Sequence, residues 1–124
     1  MRLAAVGVLL AAAPIASAQA QSMPVSQFLA KAEALQKKGA MALFSSDFGL
    51  LKREIQNSGK LLRAEQVAAE KAGRKPATCL PPKAAMNSDE LLAHFRSIPP
   101  QQRTMPVKAA FAGLMRKKYA CPAA

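Results

Sequence analysis

CLPPKAAMNSDELLAHFRSIPPQQRTMPVKAAFAGLMRKKYAC, residues 79–121, is the stretch whose reading decides the fold. Asn87 in the N-cap position with Glu90 three residues on approximates a capping box, and Met86 and Leu91 fit the hydrophobic staple around it. Asp89 and Glu90 also suit the positive end of a helix dipole. A helix that starts here turns Leu91, Leu92, Phe95 and Ile98 inward, and Pro99-Pro100 stops it by pushing the preceding residues out of the α region. Pro106 then sits in the first turn of a second helix, along which Val107, Ala110, Phe111, Leu114 and Met115 recur at helical spacing. Arg116, Lys117 and Lys118 fill its last turn, where cations suit the dipole, and Tyr119 packs behind them. Residues 87–121 therefore read as a helical hairpin, with the chain's two cysteines just outside its two ends.

Upstream, residues 73–86 form a linker, because Pro76, Pro81 and Pro82 forbid continuous helix; it reads either as a functional loop or as a tether. Residues 21–72 carry two further helices. In the first, from Ser26, Phe28, Leu29, Ala32 and Leu35 make an apolar stripe, and Glu33 and Lys37 are spaced for an i,i+4 pair. Gly39 is either its stop or a close-packing point, since Leu43 and Phe44 extend the same stripe. Ser45-Ser46-Asp47 supplies N-cap candidates for a longer helix with a stripe of Phe48, Leu51, Ile55, Gly59 and Leu62. Asn57-Ser58-Gly59 predicts a kink, and the small side chains beyond Arg63 predict an end that projects or frays before Gly73. No sustained period-two run occurs, so the expected class is all-α, a small bundle of about four helices.

Residues 1–20 stand apart. Arg2, the apolar run from Leu3 to Ile15 and the small residues before Ala18 or Ala20 predict a cleaved signal peptide and a periplasmic or secreted chain. In an oxidising compartment the two cysteines pair with one another, and two cysteines with the lone His94 do not complete a zinc site. A Cys79–Cys121 bridge closes a loop of about forty residues, worth roughly 4 kcal/mol on chain entropy.

The chain holds 18 basic and 7 acidic residues, a net charge of +11. Residues 21–70 contribute seven basic and five acidic side chains, residues 71–124 ten and two. A basic contact surface is therefore expected at Lys71, Arg74, Lys75, Lys83, Arg116, Lys117 and Lys118, with a merely solvated surface as the alternative. Nucleic acid is disfavoured because the five phenylalanines all fall on predicted core stripes, leaving no stacking platform among the cations. No hydrolase, metalloprotease, phosphate-loop or dinucleotide motif is present, and the acids sit at caps or on solvated faces. His94 has no second catalytic group beside it in sequence. The expectation is a non-enzymatic protein with no catalytic residue, cofactor or metal.

Cys79-Leu80-Pro81, the helix from Ser88 to Ser97, the turn Ile98-Pro99-Pro100, the Pro106 helix with Ala109, Ala110 and Leu114, and the closing Tyr119-Ala120-Cys121 resemble the C-terminal half of the Rap/Tai family. These are small, exported, helical immunity proteins that protect bacteria from type VI secretion effectors by binding them. The resemblance covers about forty-five residues; Ser45 to Ile55 and the absence of cysteine before Cys79 lie outside it. It implies a disulfide between Cys79 and Cys121 and a periplasmic protein partner such as a peptidoglycan amidase. The linker or the end of the second helix is the expected contact. A basic envelope accessory protein that binds anionic lipid or polyanion is the alternative, and a homodimer stays open.

Overall fold

The computed structural model describes residues 22–122. The predicted signal peptide, residues 1–20, and its cleavage near Ala18 or Ala20 lie outside the described residues. The described chain is all-helical: α1 (Val25–Lys38), a 3₁₀ turn (Gly39–Phe44), α2 (Ser46–Lys71), α3 (Ser88–Ser97), a short 3₁₀ turn (Pro100–Gln102) and α4 (Val107–Lys118). Cys79 and Cys121 are bonded, with Cα atoms 4.9 Å apart.

Local chemistry sets the helix ends. The Asn87 side chain accepts from the Glu90 amide at 2.8 Å and starts α3, and Ser45 accepts from the Asp47 amide at 3.3 Å and starts α2. Glu90 does not reach back to complete the capping box; its carboxylate takes Lys118 at 2.8 Å and ties α3 to the end of α4. Pro106 is the N-cap of α4, one position before the first turn in which spacing had placed it. Arg103 closes α3, its guanidinium donating to the carbonyls of Ile98 and Arg96, both at 2.9 Å.

The core gathers one stripe from each helix. Phe28, Ala32 and Leu35 of α1, Leu51 and Leu62 of α2, Leu91, Leu92 and Phe95 of α3, and Val107, Phe111, Leu114 and Met115 of α4 are all buried. Phe28 meets Phe95 edge to face, with centroids 5.2 Å apart. A backbone seam joins the starts of α1 and α4: Val25 N donates to Met105 O at 3.0 Å and Val107 N to Met23 O at 2.8 Å. This bridge at Pro24 and Pro106 is isolated, and no strand occurs among the described residues.

Helix α2 is continuous through Asn57-Ser58-Gly59, where the buried Ser58 hydroxyl donates to Glu54 O at 2.8 Å and so keeps its polarity inside the helix. Two details of α1 and α2 differ from the sequence reading. The far end of α2 stays helical to Lys71 and buries Ala69 rather than fraying. The cause is the linker, which folds back along it: Leu80 N donates to Gln66 Oε1 at 2.8 Å, and Arg63 donates to Pro81 O at 2.6 Å. Finally, the ion pairs among the described residues do not include Glu33 with Lys37; Lys31 on the same helix instead bridges to Asp47 of α2 at 3.1 Å.

Candidate functional site: an apolar groove and a basic end

Gly39 decides what the α1–α2 hairpin exposes. Its φ of 57° with ψ of −133° is open to glycine and strained for other residues, so α1 stops there and the chain continues as a tighter 3₁₀ turn. The helical stripe that spacing extends to Leu43 and Phe44 is thereby rotated off the core. Only Ala42 of the turn packs against it, while Met41, Leu43 and Phe44 are 67%, 66% and 84% exposed and Phe48, one turn into α2, is 40% exposed. Five phenylalanines were expected on core stripes; Phe28, Phe95 and Phe111 are buried, but Phe44 and Phe48 are not.

Phe48 lines a groove of about 580 Å³ between α1, α2 and the start of α3, to which the 3₁₀ turn contributes Gly39 and Ala42. Its floor is apolar, with Leu35, Leu51, Ile55, Met86 and Leu92, and its rim is polar, with Gln36, Lys52, Gln56 and Asp89. Apolar floor, polar rim and large exposed apolar side chains at one edge are the anatomy of a protein contact. Sequence reasoning passed over this site because a 3.6-residue stripe through Gly39 assigns Leu43 and Phe44 to the core; the signal was Gly39 followed within five residues by Met41, Leu43 and Phe44 and then by the serine cap.

Most of the predicted basic surface is brought together where the ends of α2 and α4 meet the linker. Helices α2 and α4 run side by side in the same direction: Met23 links Glu54 to Val107, Gly59 faces Phe111, and Gln66 binds Leu80 next to Cys79, which binds Tyr119. After α2 the chain turns at Gly73, whose φ is 70°, and the linker crosses the end of α4. Cys79 N donates to Tyr119 O at 2.9 Å, and Cys121 Sγ lies 3.4 Å from Pro76 O. Lys71, Arg74 and Lys75, then Lys83, then Arg116 and Lys117 thus occupy three segments meeting at one end, and all six are exposed. Lys118 is spent on structure: it binds Glu90 and also donates to Ala85 O at 2.8 Å. The hydrogen bond that its ammonium donates to the Glu90 carboxylate holds it above the ordinary lysine range. The linker and the end of α2 are tied together through Arg63 with Pro81 and Gln66 with Leu80, while residues 70–75 and 82–85 stay exposed.

His94 is structural. Its Nε2 lies 3.0 Å from Ala110 O, an acceptor only, so that nitrogen carries the proton and joins α3 to α4. Among the described residues, no cluster of three metal-binding side chains occurs and no helix is long and apolar enough to cross a membrane. Comparison with known proteins finds no family model that matches the chain, and no curated protein or solved structure that matches it significantly.

Proposed function

We propose that this is an exported, non-enzymatic protein-binding domain that takes an apolar element of a partner into the groove between α1, α2 and α3. The observation that carries the reading is the apolar groove lined by the half-exposed Phe48 and bordered by a 3₁₀ turn that contributes Gly39 and Ala42 to it and leaves Met41, Leu43 and Phe44 in solvent. Large side chains fixed on a short turn cost little entropy to bury, which is the character of a binding anchor. The C-terminal resemblance to the Rap/Tai family gives the class of partner: an exported effector such as a peptidoglycan amidase, inhibited by occlusion.

The test is retention from periplasmic extract by the oxidised chain lacking residues 1–20, with a high-salt wash, beside Phe44→Asp and Phe48→Asp variants. One stoichiometric protein, lost with either substitution and inhibited in cell-wall hydrolysis by the native chain, is the expected result. A retained partner without cell-wall activity removes the immunity reading and leaves protein binding. Retention that is indifferent to Phe44 and Phe48 overturns the groove as the contact.

A further inference from the structure

We infer that the end of the molecule built by the C-terminus of α2, the linker and the C-terminus of α4 docks on a bilayer surface carrying anionic headgroups, and that the Cys79–Cys121 bond assembles this surface. The inference does not use the groove, whose lining includes none of Lys71, Arg74, Lys75, Lys83, Arg116 and Lys117.

The ten basic residues of residues 71–124 divide into two sets. Arg96 donates to Gln36, Arg103 to the end of α3, Lys108 pairs with Glu65 and Lys118 with Glu90, so these four hold elements together. The other six, Lys71, Arg74, Lys75, Lys83, Arg116 and Lys117, make no side-chain hydrogen bond or ion pair among the described residues and share one end. Glu70 precedes Lys71 in sequence and Glu90 binds the lysine after Lys117. Glu70 is turned to Gln66, and Glu90 is occupied by Lys118. Gathering six cations opposes folding by self-repulsion. The chain nevertheless places its disulfide, together with the Cys79–Tyr119 hydrogen bond, where these segments meet. A surface held together against its own repulsion has the charge a polyanion recognises.

The form of the surface selects among polyanions. The aromatic side chain at this end is Tyr119, partly buried, with its hydroxyl engaged by the backbone of Ala85. It offers no face for stacking nucleobases, which single-stranded nucleic acid binding requires. What remains is charge distributed over three chain segments. That suits a plane of many headgroups, to which each cation near the surface adds roughly a fivefold gain in affinity.

The experiment is sedimentation of the oxidised chain lacking residues 1–20 with phosphatidylcholine vesicles, with and without phosphatidylglycerol, at low and high salt. Two triple variants are compared: Lys71→Gln/Arg74→Gln/Lys75→Gln at this end, and Lys37→Gln/Lys38→Gln/Lys52→Gln away from it. Expected is salt-sensitive binding to the anionic vesicles alone, weakened about a hundredfold by the first set and less than about twofold by the second. Cys79→Ser/Cys121→Ser, checked for helicity by circular dichroism, is expected to weaken it as well. Equal losses from the two triple variants would show that only net charge matters and would overturn the inference. So would equal binding to phosphatidylcholine alone, or tighter binding to a DNA duplex at matched phosphate concentration.

Discussion

Two phenylalanines separate the demands of stability from those of binding. Phe95 is 0% exposed and meets Phe28 edge to face, so Phe95→Ala is expected to cost about 3–5 kcal/mol in urea unfolding. Phe44 touches little of the fold, and Phe44→Ala is expected to change stability by no more than about 0.5 kcal/mol while abolishing partner retention. A large loss of stability in Phe44→Ala would return that ring to the core. Lys118 gives a pH signature. Because its bond to Glu90 raises the folded-state pKa, the stabilisation is complete below the ordinary lysine range, about 10.4, and is lost as pH climbs through the raised value. The difference in Tm between the native chain and Lys118→Met is therefore expected to be flat through neutral pH and to shrink in strong alkali. A difference that widens there would contradict the assignment.

At the scale of elements, two glycines in the N-terminal half have opposite roles. Gly59 lies inside α2, and a Cβ there would meet Phe111 Cζ at 3.9 Å, an ordinary contact. Gly59→Ala is expected to raise stability by about 0.5–1 kcal/mol through helix propensity alone. Gly39→Ala has open space around it but a φ of 57°, so its strain is expected to lower stability by about 1 kcal/mol or more. Thermal denaturation of both variants checks the pair, and a stabilising Gly39→Ala would mean that the turn relaxes into helix. The same residues show where sequence reading succeeded and stopped. The hairpin was legible down to its cap because Asn87, Pro99, Pro100 and Pro106 act on their immediate neighbours. The groove was not, because whether Phe44 follows the α1 stripe depends on the dihedral at Gly39, which composition leaves open. The folded-back linker was also hidden: Gln66 with Leu80 and Arg63 with Pro81 are tertiary hydrogen bonds between residues that look like solvated face and loop. The basic residues were legible as a list, but their meeting at one end required the parallel run of α2 and α4.

For the whole molecule, the disulfide spans 42 residues and encloses both C-terminal helices. Cys79→Ser/Cys121→Ser is expected to lower unfolding free energy by about 4 kcal/mol, read from the urea midpoint, and a shift under about 1 kcal/mol would mean that the hairpin closes without it. The bridge between Pro24 and Pro106 sets a limit of another kind. The start of α1 finds its backbone partners at Arg103, Met105 and Val107, near the far end of the chain. Contacts of such sequence separation form late, because a long loop has to close before they contribute. A polypeptide delivered from its N-terminus presents Met23 and Val25 first and waits for nearly all of itself to arrive before that seam can shut. Such an order of events leaves the start of α1 without its backbone partners until the start of α4 has arrived, and makes that arrival the moment at which the first helix locks.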